Sequence, residues 1–203
     1  MSSLLPESDR ATLRRQLRAA RRALSASQQK LATRRLALNL ARLPEIRRAR
    51  RIALYWPMDG EIDPRPLLER LGSARHRFYL PLLTAFPTLT LRFAHWRPGM
   101  VLHRNRFGIP EPAGRRWLMA ARMDVVLLPL TGFDARGNRL GMGGGFYDRT
   151  LAFMRQGRKA PLLVGVAHAC QQVARLPAAA WDVPLARIVT DRRRFRPARR
   201  QHP

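Results

Sequence analysis

The sequence predicts an α/β fold, a three-layer sandwich with a mostly parallel central sheet flanked by helices. Three observations carry that expectation. Strand-like and helix-like segments alternate along the chain. Several of the strand segments are continuously apolar, as strands covered on both faces must be. The 203 residues, 46% of them hydrophobic, supply one core of ordinary size. Residues 1–190 are expected to form a single domain, with a basic, disordered tail over 191–203 (DRRRFRPARRQHP from Asp191), which has too few apolar residues to hold itself in a core.

Taken in order, Asp9–Leu24 places Leu13, Leu17, Ala20 and Leu24 at helical spacing, while Arg10, Arg14, Arg18 and Arg22 recur every fourth residue on another face. This is an amphipathic helix with an arginine stripe. Ser25 is suited to cap a second helix running to about Leu43, where Pro44 helps to stop it. Strands are expected at Arg51–Trp56, Arg77–Leu83, Thr90–Trp96, Asp124–Leu130, Leu162–Ala167 and Arg187–Thr190. Helices are expected at Pro64–Leu71 and at Tyr147–Gln156, where Tyr147, Leu151 and Met154 share a face. The Gly-, Pro- and Arg-rich stretch Arg92–Pro112 reads as an extended loop or excursion within the domain.

The formal net charge of +26 is nearly all arginine, because Lys30 and Lys159 are the only lysines. A nucleic-acid-binding protein using the arginine helix and the tail would show such a surplus, and so would a coding bias toward arginine. Met1–Arg10 lacks the basic start and apolar run of a secretory signal, and no apolar run approaches a membrane span, so a soluble, cytoplasmic protein is expected. Cys170, the only cysteine, rules out an intrachain disulfide and reads as a small buried thiol. His76, His95, His103 and His168 lack metal-ligand spacing and read as structural or solvent-facing.

Chemistry concentrates in two segments. Leu128–Asp148 (LPLTGFDARGNRLGMGGGFYD) runs from a buried strand through a polar turn to four glycines, Gly141, Gly143, Gly144 and Gly145, and then a helix. Backbone N–H groups freed of side chains can turn toward phosphate oxygens, with Arg139 supplying parallel charged donors and Asp148 holding magnesium. The loop is neither a Walker motif nor a dinucleotide fingerprint, and a tight structural turn explains the glycines equally well. Trp56–Asp63 (WPMDGEID) places Asp59, Glu61 and Asp63 at a strand-to-helix turn, where ligands sit in α/β sheets, although helix capping by Asp63 explains part of it.

At GFDARGNRLGMGGGFYD the sequence resembles the 5-formyltetrahydrofolate cyclo-ligase family. The arginine-bearing first helix, DGEID, FGIPEP at Phe107–Pro112 and WDVPL at Trp181–Leu185 follow in the order this family shows. The resemblance implies a ligase that uses ATP and Mg2+ to close 5-formyltetrahydrofolate to 5,10-methenyltetrahydrofolate through phosphorylation of the formyl oxygen. It implies ATP contacts from Arg10, Arg14 and Arg139 and from the loop Leu140, Gly141, Met142, Gly143, Gly144, Gly145, Phe146 and Tyr147. Folate contacts are implied for Trp56, Glu61, Met142 and Phe146, catalytic roles for Arg139, Glu61 and Tyr147, and magnesium ligation for Asp148 and Asp182. Met142, Gly144 and Phe146 stand where relatives carry basic residues or tyrosine, and Ala186 where many bacterial members carry an acid. A monomer is expected, with no membrane partner and only non-specific contact with nucleic acid.

Overall fold

The computed structural model describes residues 7–72, 74–84, 88–114, 116–156, 160–176, 183 and 185–198. Three helices open the chain: α1 (Glu7–Arg22), α2 (Ala26–Ala41) and α3 (Pro44–Arg48). Ser25 caps α2 through a reciprocal box, its hydroxyl accepting from the Gln28 N–H at 3.3 Å while the Gln28 side chain accepts from the Ser25 N–H at 2.8 Å. Pro44 does more than end α2. Its fixed φ starts α3 as the first helical residue, a third helix where the sequence reading stops at Pro44 and expects none before the first strand.

Then follow β1 (Arg51–Ala53), α4 (Leu67–Leu71), β2 (Arg77–Leu83), β3 (Leu91–Trp96), β4 (Leu102–Arg104), β5 (Pro110–Pro112) and β6 (Trp117–Leu118). The second half supplies β7 (Val125–Pro129), β8 (Gly132–Phe133), β9 (Arg139–Leu140), α5 (Phe146–Leu151), β10 (Leu162–Ala167), β11 (Arg187–Thr190) and β12 (Arg194–Phe195). The central sheet has the order β12-β11-β10-β7-β1-β2-β3-β6. From β11 to β2 its strands are parallel, and the antiparallel β12, β3 and β6 complete its two sides.

Alternation along the strands divides the core in two, as a pleated sheet requires. Ile52, Leu54, Val125, Leu127, Val164 and Val166 pack with Leu36, Leu40, Ile46 and Leu67 of α2, α3 and α4. Ala53, Val126, Leu128 and Leu163 point the other way, to Leu151 of α5 and to Phe133. Gly165 is a close approach: a Cβ there would stand 2.6 Å from the Leu185 side chain and 2.7 Å from that of Leu130.

Three expectations change. The excursion 92–112 contains the hairpin β4–β5, whose prolines at 110 and 112 hid a strand from propensity reasoning. The stretch expected as a loose tail is built into the sheet edge as far as β12, where Phe195 meets the Phe133 ring at 5.5 Å; 199–203 lie outside the described residues. Cys170 is exposed, because it falls on the turn Ala169–Gln171 beyond β10. Among the described residues no helix is long and apolar enough to cross a membrane.

Candidate active site

The chain leaves β1 toward β2 on one side, while β7 lies on its other side, so the strand order reverses between β1 and β7. At such a switch point the loops beyond the carboxyl ends of the two strands diverge and leave a crevice. A cavity of about 790 Å³ occupies it, floored by Tyr55 and Trp56 after β1 and by Pro129 and Leu130 at the end of β7.

One wall is the glycine loop. Asp134, fully buried, ties the turn before it: its carboxylate accepts from the Arg136 and Asn138 N–H groups at 3.0 Å and from the Leu176 N–H at 2.9 Å. That turn delivers Arg139 to β9, where its guanidinium is 7% exposed and ion-paired with Asp148 of α5. Gly143 and Gly145 take φ of +99° and +64°, a backbone region that side chains strain, so glycine is required by conformation there. Arg10 and Arg14 of α1 reach the same cavity, and the Arg14 Nε–H donates to the Gly141 carbonyl at 3.1 Å. The helix after the loop is shorter than expected: α5 spans six residues and tightens into the turn Ala152–Gln156, so little dipole supports the cradle and its charge rests on arginines. Leu140 does not line the cavity; its side chain packs with Leu17 and Leu176 and anchors the loop from below.

The opposite wall carries Glu61, whose side chain is 11% exposed and accepts from the Met58 N–H at 3.1 Å. Burial pushes its carboxyl up to about 7, against the Met58 hydrogen bond and the nearby Arg21 charge. Tyr147 beside it is held above the ordinary tyrosine range by burial and by the Glu61 charge, so its hydroxyl remains a donor. Trp56 meets Trp96 edge-on at 6.1 Å and lies 4.1 Å beneath the Arg65 guanidinium, itself gripped by Asp63 at 2.7 Å. Met142 and Phe146 close the cavity from the glycine loop.

The cavity therefore gathers the residues expected at the site from three distant segments, apart from Leu140 and from Asp182, which lies outside the described residues. A profile of the 5-formyltetrahydrofolate cyclo-ligase family matches residues 6–191. The chain belongs to this family. It is 42% identical to the 5-formyltetrahydrofolate cyclo-ligase of Escherichia coli K12 over 176 residues, covering 86% of this chain and 96% of that protein. The Haemophilus influenzae cyclo-ligase is 41% identical over 182 residues, 89% and 96% of the two chains. The NMR structure of Aquifex aeolicus 5,10-methenyltetrahydrofolate synthetase superposes with a TM-score of 0.78 at 30% identity, over 95% of each chain.

Three features of this family member escaped sequence reasoning. Arg21 is fully buried beside Asp59 and Glu61; its place four residues after Leu17, on the apolar stripe of α1, was the signal for it. Phe107, at the tip of the β4–β5 hairpin, is 53% exposed, lines the cavity and meets Phe146 at 5.8 Å, edge to face. The third is the use made of Asp59, a candidate from its place in DGEID: Arg18, Arg21 and Arg22 converge on its carboxylate.

Magnesium is suited by hard oxygen ligands, one or two carboxylates together with substrate phosphates and water. Asp148 meets that description, with a side chain 30% exposed at the cavity beside Arg139. Among the described residues no cluster of three metal-ligating side chains occurs.

Proposed function

We propose that this chain closes 5-formyltetrahydrofolate to 5,10-methenyltetrahydrofolate, converting ATP to ADP and phosphate. One observation carries the reading: a single cavity faces a glycine loop flanked by arginines on one side and the mostly buried Glu61 carboxylate with aromatic rings on the other. The first wall suits an anionic nucleotide and the second a flat, hydrogen-bonding heterocycle. Relatives that align over nearly their whole length bear the name of this activity.

In the reaction the formyl oxygen attacks the γ-phosphorus, the bond to the ADP oxygen breaks, and the formyl carbon acquires a phosphate leaving group. N10 of the folate then attacks that carbon and gives up its proton, and the carbon–oxygen bond breaks to release phosphate. Catalysis of phosphoryl transfer is mostly positioning and charge stabilisation, which is the work assigned to the residues here. Backbone N–H groups of Gly141 to Gly145 cradle the phosphates, Arg10 and Arg14 hold the nucleotide from α1, and Arg139 meets charge as it develops on the transferring group. Asp148 would hold Mg2+, which when bound neutralises phosphate charge, and Asp182 is assigned as its second carboxylate. Glu61, with Trp56, Met142 and Phe146 around it, receives the pterin ring, and the Tyr147 hydroxyl donates into the same space.

The protein is assigned to the cytoplasm as a monomer. The positive charge speeds the encounter with anionic folate and ATP, and contact with nucleic acid is non-specific and salt-sensitive. The test mixes purified protein with 5-formyltetrahydrofolate and Mg-ATP and follows the near-ultraviolet absorbance of the methenyl product, with ATP omitted in the control. ATP-dependent product is expected; folded protein that forms none would overturn the reading.

A further inference from the structure

We propose that Arg21 is a positioning residue that holds the Glu61 carboxylate in place against the bound folate and favours its ionised form. This rests on the reading of the cavity given above. Arg21 has no solvent exposure, and its Nε–H and Nη2–H donate to the Asp59 carbonyl and carboxylate at 2.8 Å each. That leaves Nη1, a buried donor with no hydrogen-bond partner among the described residues, 3.8 Å from Oε1 of Glu61. An unsatisfied charged donor in the interior is costly, and such groups stand where a partner is supplied at another stage. Here an ångström of movement by Glu61 supplies it.

Holding the turn does not explain the burial. Arg18 and Arg22, with side chains 37% and 54% exposed, already contact Asp59, so a third cation inside the protein is not needed to neutralise it. Arg21 adds what the other two do not: its fork spans from Asp59 to Glu61, and Nη2 also touches the Met142 sulfur of the glycine loop at 3.8 Å. One side chain thus touches both walls of the cleft.

The groups facing Glu61 are Arg21 and Arg18 from α1, Asp59 on its own turn, Tyr55 beyond β1 and Tyr147 of α5. Burial and Asp59 favour the neutral acid; Arg21 outweighs Arg18 among the cations that favour the anion. An ionised carboxylate only accepts hydrogen bonds, which matches the amino and N–H edge of a pterin. Loss of Arg21 therefore shifts Glu61 further toward the protonated acid at neutral pH and weakens its hold on that edge.

The experiment compares Arg21→Lys and Arg21→Met with the wild type in two ways. Carbon-13 glutamate labelling, with Glu61→Gln to assign the signal, reads the Glu61 midpoint in ligand-free protein; turnover reads the Michaelis constants. The lysine keeps the charge Asp59 needs but not the fork, so the midpoint should rise by about half a pH unit or more, and in the methionine variant by at least about one. At pH 7.5 the lost anion alone should raise folate KM by about 1.5-fold or more in the lysine variant and about threefold or more in the methionine variant, recovering at higher pH, while KM for ATP stays unchanged. A folded lysine variant with an unchanged midpoint and folate KM would overturn the proposal. The wild type needs no variant: adding 5-formyltetrahydrofolate should slow exchange of the Arg21 Nη protons, and no slowing would also overturn it. If the wild type makes no product, the function assigned above fails, while the ligand-free Glu61 midpoints still decide whether Arg21 favours the ionised form of that carboxylate.

Discussion

Replacing Arg139 with alanine removes a guanidinium that is only 7% exposed and paired with Asp148. Two costs follow, and they separate. The lost ion pair leaves Asp148 alone, but that side chain is 30% exposed and water takes over much of its solvation. The stability loss should thus be about 1 kcal/mol, toward the surface end of the range for broken pairs, or a fall in Tm of roughly 2–4 °C. On the proposed function, catalysis loses a donor aimed at charge that grows during transfer. Removal of one such donor typically lowers kcat by about 10²–10³, and the low exposure of Arg139 places it near the upper figure. Steady-state formation of the methenyl product, with ATP and folate varied independently, should show kcat down about 10³-fold with folate KM within roughly threefold. Arg139→Lys, which keeps charge without parallel donors, should fall between. A kcat within threefold of wild type at saturating ATP, in folded protein, would refute the phosphate role of Arg139.

Three further outcomes are expected. Because burial raises the Glu61 carboxyl to about 7, the folded protein binds a proton there that the unfolded chain gives up nearer 4.5; stability from this group falls as pH rises between those values. Glu61→Gln should accordingly raise Tm by several degrees at pH 8 and not at pH 4, measured by thermal denaturation, while folate KM rises and the acid limb of kcat/KM near pH 7 disappears. Gly145→Ala forces a side chain into φ of +64° with its Cβ 2.7 Å from the Arg149 guanidinium, so initial rates should show ATP KM up severalfold and stability down by about 1 kcal/mol. Cys170 is exposed, yet burial of its sulfur and the Asp191 charge raise its thiol, so a disulfide reagent should label it in native protein more slowly than a free thiol, speeding as pH rises; Cys170→Ser should retain full turnover.

Much of the architecture was legible because its strands obey one rule. The runs at β7 and β10 are continuously apolar since they are covered on both faces, and no helix of that length would be. The short edge pieces β6 and β12 carry no such signal, and the β4–β5 hairpin is written in prolines and arginines. The site was legible as segments. The glycine loop and DGEID each announce a turn at a strand end, but that they meet follows from β7 lying beside β1, a neighbour relation no local pattern encodes. Arg21 and Phe107 were hidden for opposite reasons: an arginine among arginines looked solvated, and an exposed ring in a loop looked incidental.

The first helix also sets when this protein can work. Arg14 reaches across 127 residues to Gly141, whereas Arg21 needs only the next 38 to meet Asp59. On a ribosome adding about 5–20 residues per second, the Asp59 contact becomes available within about 2–8 s and the Gly141 contact only after about 6–25 s. In that interval α1 can rest on the DGEID turn, its arginines partly occupied by Asp59, while its cavity-facing first half waits for the loop. A bulky fusion ahead of Glu7 would burden this early docking and sit next to the cleft, so a carrier placed after the final strand would disturb nascent and finished protein less.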